Sequence, residues 1–134
     1  MSIFEPIEAL EHREERLSAE VKTLSDAERK LYFKAQTKQL KDPDTYASLN
    51  WSFIGGIHHI YLGKYLVFTV EFILLLVAVA GIVAGFELFI IILVALALFE
   101  LPQLFFSQKI VRQKNYQISR SILDEIKRSP NKDV

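Results

Sequence analysis

The chain has 134 residues, no cysteine and a formal net charge of zero, and 51% of its residues are hydrophobic. This length suits one domain at most, and the lack of cysteine excludes disulfides, thiolate metal sites and cysteine nucleophiles. The charges are unevenly distributed. Residues 51–106 hold only four of them, at Lys64, Glu71, Glu87 and Glu100. The pattern predicts an apolar block between two polar tails.

The N-terminal region, residues 1–45, is predicted to form amphipathic helices. Leucines recur every seven residues, at positions 10, 17, 24 and 31, but only half of the second heptad row is apolar. Ser25 and Glu28 have the spacing of a capping box, which would begin a new helix at Asp26. Two alternatives follow, one long helix in a weak coiled coil or a helical hairpin. Either would place an apolar face against the membrane, a neighbouring subunit or a protein partner.

The same region argues against export and against nucleic-acid binding. It carries eight basic and ten acidic residues over positions 1–50, a net charge of −2. Its start has no basic segment followed by an apolar one, so we predict no secretory signal. Without a basic cluster it is not expected to bind nucleic acid, and we expect it to stay in the cytoplasm.

Three apolar segments follow, at 46–62, 65–84 and 86–106. The second and third each reach the roughly 20 residues that a helix needs to cross about 30 Å of hydrocarbon. The first is shorter and contains polar residues, which favours a re-entrant or interfacial helix. Basic residues flank the block and Lys64 lies between the first two segments, so a hairpin of two crossings satisfies the positive-inside tendency. Three crossings remain the alternative.

Several residues in this block are predicted to act in helix packing or as hinges. Gly81 and Gly85 form a GxxxG spacing, which suits either a close helix–helix contact or a flexible turn. Proline in the last segment removes one backbone donor from that helix. The full set is Gly55, Gly56, Gly81, Gly85 and Pro102.

The block also carries candidate site residues. Glu71 lies fourteen residues before Gly85 and Glu100 fifteen after it, so a hairpin places both carboxyl groups at one depth. His58, His59 and Tyr61 precede the hairpin and are candidates to approach that level. Such a cluster could be a hydrogen-bonded lock between helices, an ion or proton site, or a ligand or headgroup site. Neighbouring histidines on a helix point about 100° apart, so we predict no metal site and no cofactor.

The C-terminal region, residues 117–134, is predicted to be a basic amphipathic tail. Ile118, Ile122 and Ile126 recur at a spacing of four residues. Basic residues lie beside them. This pattern predicts a short surface helix that lies on anionic lipid.

Two motifs in the apolar block resemble a known family. Residues 56–64, GIHHIYLGK, resemble the signature of the TM-two domain family, and LFEL at 98–101, followed by VRQKN at 111–115, is similar to its second landmark. The chain departs from that pattern at His59, where a basic Arg or Lys is usual, and at Ile60, where Phe is usual. The resemblance implies a membrane location, two spanning helices and roles for His58, Tyr61 and Glu100.

Together these features predict an all-α integral membrane protein of the inner (plasma) membrane. A transmembrane helical hairpin would follow a short re-entrant or interfacial helix, with helical cytoplasmic tails and domains at 1–45, 46–116 and 117–134. No hydrolase, transferase or phosphate-loop motif is present, so no enzyme is expected. We predict a non-enzymatic scaffold or interaction module that forms a homo-oligomer in the lipid bilayer. An oligomeric ion or proton channel is the alternative.

Overall fold

A computed structural model of the chain describes residues 4–52 and 56–128. Within these ranges the protein is helical, with no strand, which confirms the predicted all-α class. The helices are α1 Ile7–Lys22, α2 Asp26–Gln39, α3 Pro43–Trp51, α4 Ile57–Tyr61, α5 Tyr65–Val83, a 3₁₀ turn Glu87–Phe89, α6 Ile90–Phe105 and α7 Ser107–Arg128.

The helices group into two compact units. The first unit comprises the described parts of Met1–Lys41 and Lys109–Val134, and the second comprises those of Asp42–Gln108. The first therefore joins residues from both ends of the chain. The domain boundaries predicted from the sequence, at 45/46 and 116/117, stay a prediction.

The N-terminal region forms two helices rather than one long one. α1 ends at Lys22 and α2 begins at Asp26, with Ser25 as its N-cap. Ser25 Oγ accepts a hydrogen bond from the Glu28 backbone N–H at 3.4 Å, and a Glu28 carboxylate oxygen accepts from the Ser25 N–H at 2.9 Å. This reciprocal pair satisfies two backbone donors that a helix start leaves open, and it separates α2 from α1.

The apolar faces of α1, α2 and α7 share one core. α1 contributes leucine and valine side chains, α2 a tyrosine and an alanine, and α7 two isoleucines and a leucine. These buried side chains are Leu17, Val21, Tyr32, Ala35, Ile122, Leu123 and Ile126. The prediction of a short C-terminal helix whose isoleucines lie on lipid is therefore wrong. The isoleucine stripe is covered instead by an apolar face from the other end of the chain, and the helix is 22 residues long.

Ion pairs reinforce the same packing. The Arg112 guanidinium donates to both carboxylate oxygens of Glu14, with Nε 2.9 and 3.1 Å from them. Arg120 and Lys127 each donate to Glu20 at 2.6 Å. These pairs are partly exposed, so each contributes little by itself. Together with the shared core they show that the two ends of the chain fold as one body.

The second unit contains the two most apolar helical segments. α5 spans 19 residues with a mean hydropathy of 2.8, and Glu87–Phe105 spans 19 residues with a mean of 2.4. Only 11% and 6% of their residues are buried. Both segments are long and apolar enough to cross a membrane, and they coincide with the second and third apolar segments of the sequence.

A glycine turn joins these two segments. Gly85 has a φ of +90°, a left-handed conformation that favours glycine. The Phe86 N–H donates to the Gly81 carbonyl at 3.0 Å and the Gly85 N–H to the Ile82 carbonyl at 2.9 Å, the Schellman pattern of a helix end. A Cβ at Gly81 would overlap the Phe89 ring, whereas nothing lies near Gly85. Gly81 thus allows a close contact with Phe89, and Gly85 allows the turn.

Candidate functional site: a buried polar cluster

A short helix and a tight turn position the histidines. α4 is followed by Gly63, whose N–H donates to the Ile60 carbonyl at 2.9 Å, while the Lys64 N–H donates to the His59 carbonyl at 2.8 Å. This turn reverses the chain so that α4 lies against the start of α5. His59 of the short helix is thereby brought beside Glu71, which lies in the second turn of α5.

His59 and Glu71 form a buried pair. His59 Nε2 lies 3.0 Å from Glu71 Oε1, and the two side chains are only 2% and 5% exposed. An imidazole and a carboxyl group at this distance share a proton in a hydrogen bond, which offsets part of the cost of removing both from water. The structure thus brings together two of the candidate residues, twelve positions apart in the sequence.

Gly56 makes room for this pair. It precedes α4 with a φ of +77°, and a Cβ at this position would overlap Glu71 Oε2. A side chain here would have to displace the carboxyl group or the backbone. Its neighbour Gly55, also predicted as a packing or hinge residue, lies outside the described residues.

Three residues that the sequence analysis did not include complete the surroundings. Tyr46 and Asn50 of α3 are fully buried, and Gln103 of α6 is buried beside them. The Tyr46 hydroxyl donates to Gln103 Oε1 at 3.3 Å, and its ring meets the His58 ring edge-on with centroids 5.4 Å apart. One signal could have revealed Gln103. It lies three residues after Glu100, on the same face of an apolar helix.

Three further candidate residues predicted from the sequence are Glu100 and Pro102 of α6 and Tyr61 at the end of α4. Glu100 is buried, and its backbone carbonyl accepts from the Asn50 side-chain amide at 3.5 Å. Pro102 lies inside α6, which continues to Phe105, and the Gln103 amide donates to the Phe99 carbonyl at 3.2 Å. The Tyr61 hydroxyl accepts from the Asp42 backbone N–H at 2.8 Å, so this residue supports the start of α3.

Burial shapes the chemistry of the groups outside the apolar helices. Burial raises the pKa of Tyr46 to about 12, and the nearby negative charges of Glu71 and Glu100 add to this rise. Burial lowers the pKa of His58 to about 4, with a smaller contribution from the positive charge of Lys64. His58 is therefore a neutral imidazole at pH 7, with a ring nitrogen available to accept a hydrogen bond or bind a cation.

Some polar atoms of the cluster have no hydrogen-bond partner. They are His58 Nε2, His59 Nδ1, Glu71 Oε2 and Asn50 Oδ1, all buried. One ligand atom from each of His58, His59 and Glu71 lies within 4.8 Å of the others. No metal site was predicted from the sequence, because neighbouring side chains on a helix diverge. In the structure, the two rings lie with centroids 4.0 Å apart, and α5 supplies a third donor.

Comparisons with known proteins do not add a functional assignment. No protein-family model, curated protein or solved structure matches this chain.

Proposed function

We propose that the protein is an integral membrane protein whose α5 and Glu87–Phe105 segments span a lipid bilayer as a hairpin. The support is their exposed apolar surface. At 1.5 Å per residue, 19 helical residues extend about 28 Å, close to the thickness of the hydrocarbon core. Contiguous apolar patches of this size are rare on soluble monomers. α4 belongs to the interfacial or re-entrant element in this proposal.

The packing of the chain ends supports two crossings rather than three. α1 and α2 share a core with α7, so these helices must lie on the same side of a membrane. Only an even number of crossings between them satisfies this condition. The basic residues that follow the second span, among them Lys109, Arg112 and Lys114, favour the cytoplasmic side of an inner membrane for both tails.

Single cysteines test this topology in a chain that has none of its own. Ser18, Ala84 and Ser121 are exposed and small, so replacement of each by cysteine should preserve the fold. In intact cells an impermeant maleimide should label Ala84→Cys, and it should label Ser18→Cys and Ser121→Cys only after the cells are opened. External labelling at position 18 or 121 would contradict the hairpin.

Within this topology we propose a structural role for the polar cluster and a scaffold or interaction role for the protein. His59 and Glu71 are almost completely buried within one chain, as are His58 and Glu100. Groups that conduct ions must face water along a path, whereas groups that join helices are buried. The burial therefore favours a polar lock between α3, α4, α5 and α6 over the ion or proton channel.

We propose that the chain associates with a second copy through α2. A homo-oligomer was predicted above, but its support does not come from the polar groups of the hairpin, because these are buried within a single chain. A different observation supports association. Phe33 and Leu40, one helical repeat of seven apart, are 50% and 45% exposed beside a groove of about 330 Å³. Other protein partners at this face remain outcomes of the test.

The association is tested by measuring the mass of the protein assembly in lipid nanodiscs. Phe33→Ser combined with Leu40→Ser should reduce the wild-type oligomer to a monomer, because it removes the apolar contact without altering the buried core. Lys34→Ser, on an exposed position between them, is the matched control and should leave the mass unchanged. A monomeric wild type, or an oligomer that survives the double substitution, would contradict the proposal.

Membership of the TM-two domain family is likewise a proposal. It is supported by the motif residues 56–64 and by two apolar helices of spanning length that follow them. His58 and Glu100, which the resemblance singles out, are both buried in the same unit. Tyr61 stabilises the start of α3 in that unit.

A further inference from the structure

The three side chains at the centre of the cluster have the composition of a metal site. Two imidazoles and one carboxylate offer one donor atom each, and these atoms lie within 4.8 Å of one another. We propose that His58, His59 and Glu71 bind a divalent first-row transition-metal ion, for which Zn²⁺ is the first probe. The inference deepens the proposed polar lock, because a metal ion would join α4 to α5 more firmly than one hydrogen bond.

The distances suit coordination after a small contraction. Zinc lies about 2.0–2.2 Å from nitrogen and oxygen ligands, so the donors of a tetrahedral site are about 3.3 Å apart. His59 Nε2 and Glu71 Oε1 are already 3.0 Å apart. The widest donor pair must therefore close by about 1.5 Å, a change that side-chain rotations can provide. Three protein donors leave a fourth position for water or another ligand.

An independent observation points to a bound group. His58, His59 and Glu71 are 1%, 2% and 4% exposed, and each has one buried polar atom without a hydrogen-bond partner. Such atoms are costly in a folded protein unless water, an ion or a ligand satisfies them. An ion bound among these side chains, with a water as its fourth ligand, would satisfy His58 Nε2 and Glu71 Oε2, whereas His59 Nδ1 lies on the ring edge opposite the Nε2 that faces Glu71.

The donor set selects the class of ion. Calcium and magnesium prefer sites made wholly of oxygen, whereas imidazole suits zinc, copper, nickel and iron. The Glu71 carboxylate reduces the net charge of the ion and its ligands.

The test uses the full chain, purified in detergent without a histidine tag and stripped with EDTA. Titration with Co²⁺ should give the visible d–d bands of a low-coordinate nitrogen and oxygen site at one equivalent per chain, and Zn²⁺ should abolish them. His58→Gln and Glu71→Gln should each weaken binding at least 100-fold, since loss of a mere outer partner of a ligand already costs about 10–100-fold.

Matched controls separate this site from surface binding. His12→Gln removes the chain's third histidine, which is exposed, and Glu87→Gln removes an exposed glutamate. Both should bind Co²⁺ as the wild type does. Where a cluster variant fails to fold, X-ray absorption of the wild-type Zn²⁺ complex decides the question, because it should show two imidazole ligands.

Three results would contradict the metal site. They are a lack of stoichiometric Co²⁺ binding to the wild type, a loss of Co²⁺ binding in the His12→Gln control equal to that in the cluster variants, and an X-ray absorption spectrum without imidazole ligands. The first of these, combined with an intact His59–Glu71 pair, would leave the polar lock in place with water at the unpartnered atoms. Failure of the lock itself is measured separately, by the metal-free stability of Glu71 variants.

Discussion

Replacement of Gly56 by alanine should destabilise the protein by about 3 kcal/mol. A left-handed backbone costs an L-residue about 1–2 kcal/mol, and the new Cβ would also displace the Glu71 carboxyl group. Breaking a buried hydrogen bond without replacing a partner costs about 1–3 kcal/mol more. The free energy of unfolding in detergent micelles, followed by helical circular dichroism, measures the change.

Gly85→Ala is the matched control for this prediction. Gly85 has a similar left-handed φ of +90°, but no atom lies within 4 Å of the position that its Cβ would occupy. Its replacement by alanine should therefore lower the free energy of unfolding only by the cost of the left-handed backbone, about 1 kcal/mol. Equal losses for the two variants would show that the Glu71 carboxyl group does not occupy the space beside Gly56.

Replacement of Glu71 by alanine should destabilise the metal-free protein by about 3 kcal/mol, whereas glutamine should cost about 1 kcal/mol. Alanine leaves the His59 ring nitrogen buried without its partner and creates a void in α5. Glutamine keeps the shape and can accept or donate the same hydrogen bond. Unfolding is measured in EDTA so that metal binding does not contribute to the comparison.

Glu87→Ala, at an exposed position of the turn, is the control and should change stability by less than about 0.5 kcal/mol. The same proteins in liposomes distinguish the lock from a channel. Wild-type protein should show no cation or proton flux above that of empty vesicles, because the pair is buried. Wild-type flux that Glu71→Gln abolishes at unchanged stability would instead support an ion path through the cluster.

Much of the architecture could be predicted from local sequence. The apolar runs, the capping box at Ser25 and Glu28 and the turn at Gly85 depend on neighbouring residues and the helical repeat, so the bounds of α2 and α5 follow closely from them. The histidines were expected near the depth of Glu71 because they lie close to the start of the hairpin in the sequence, and the turn at Gly63 brings His59 beside that carboxyl group.

What packs against the apolar face of the C-terminal helix could not be predicted in this way. Its isoleucine stripe fits a lipid surface or a protein face equally well, because a helical repeat shows that a face is apolar but not what covers it. The residues that pack against the isoleucines lie about 100 positions earlier in the chain and include Leu17 and Val21. Tyr46 and Asn50 could not be predicted as part of the cluster for the same reason, since their hydrogen-bond partners are on α6.

The sequence by itself determined the all-α class and the two helices of spanning length, since charge placement and the length of the apolar runs predict them without knowledge of any long-range contact. The tertiary structure alone decided which polar groups meet. It joined the two chain ends in one core, brought His58, His59 and Glu71 within reach of one ion, and placed Tyr61 at the start of α3. The physical reason is that burial and partner choice depend on side chains distant in the sequence, whose approach is fixed by turns such as that at Gly63.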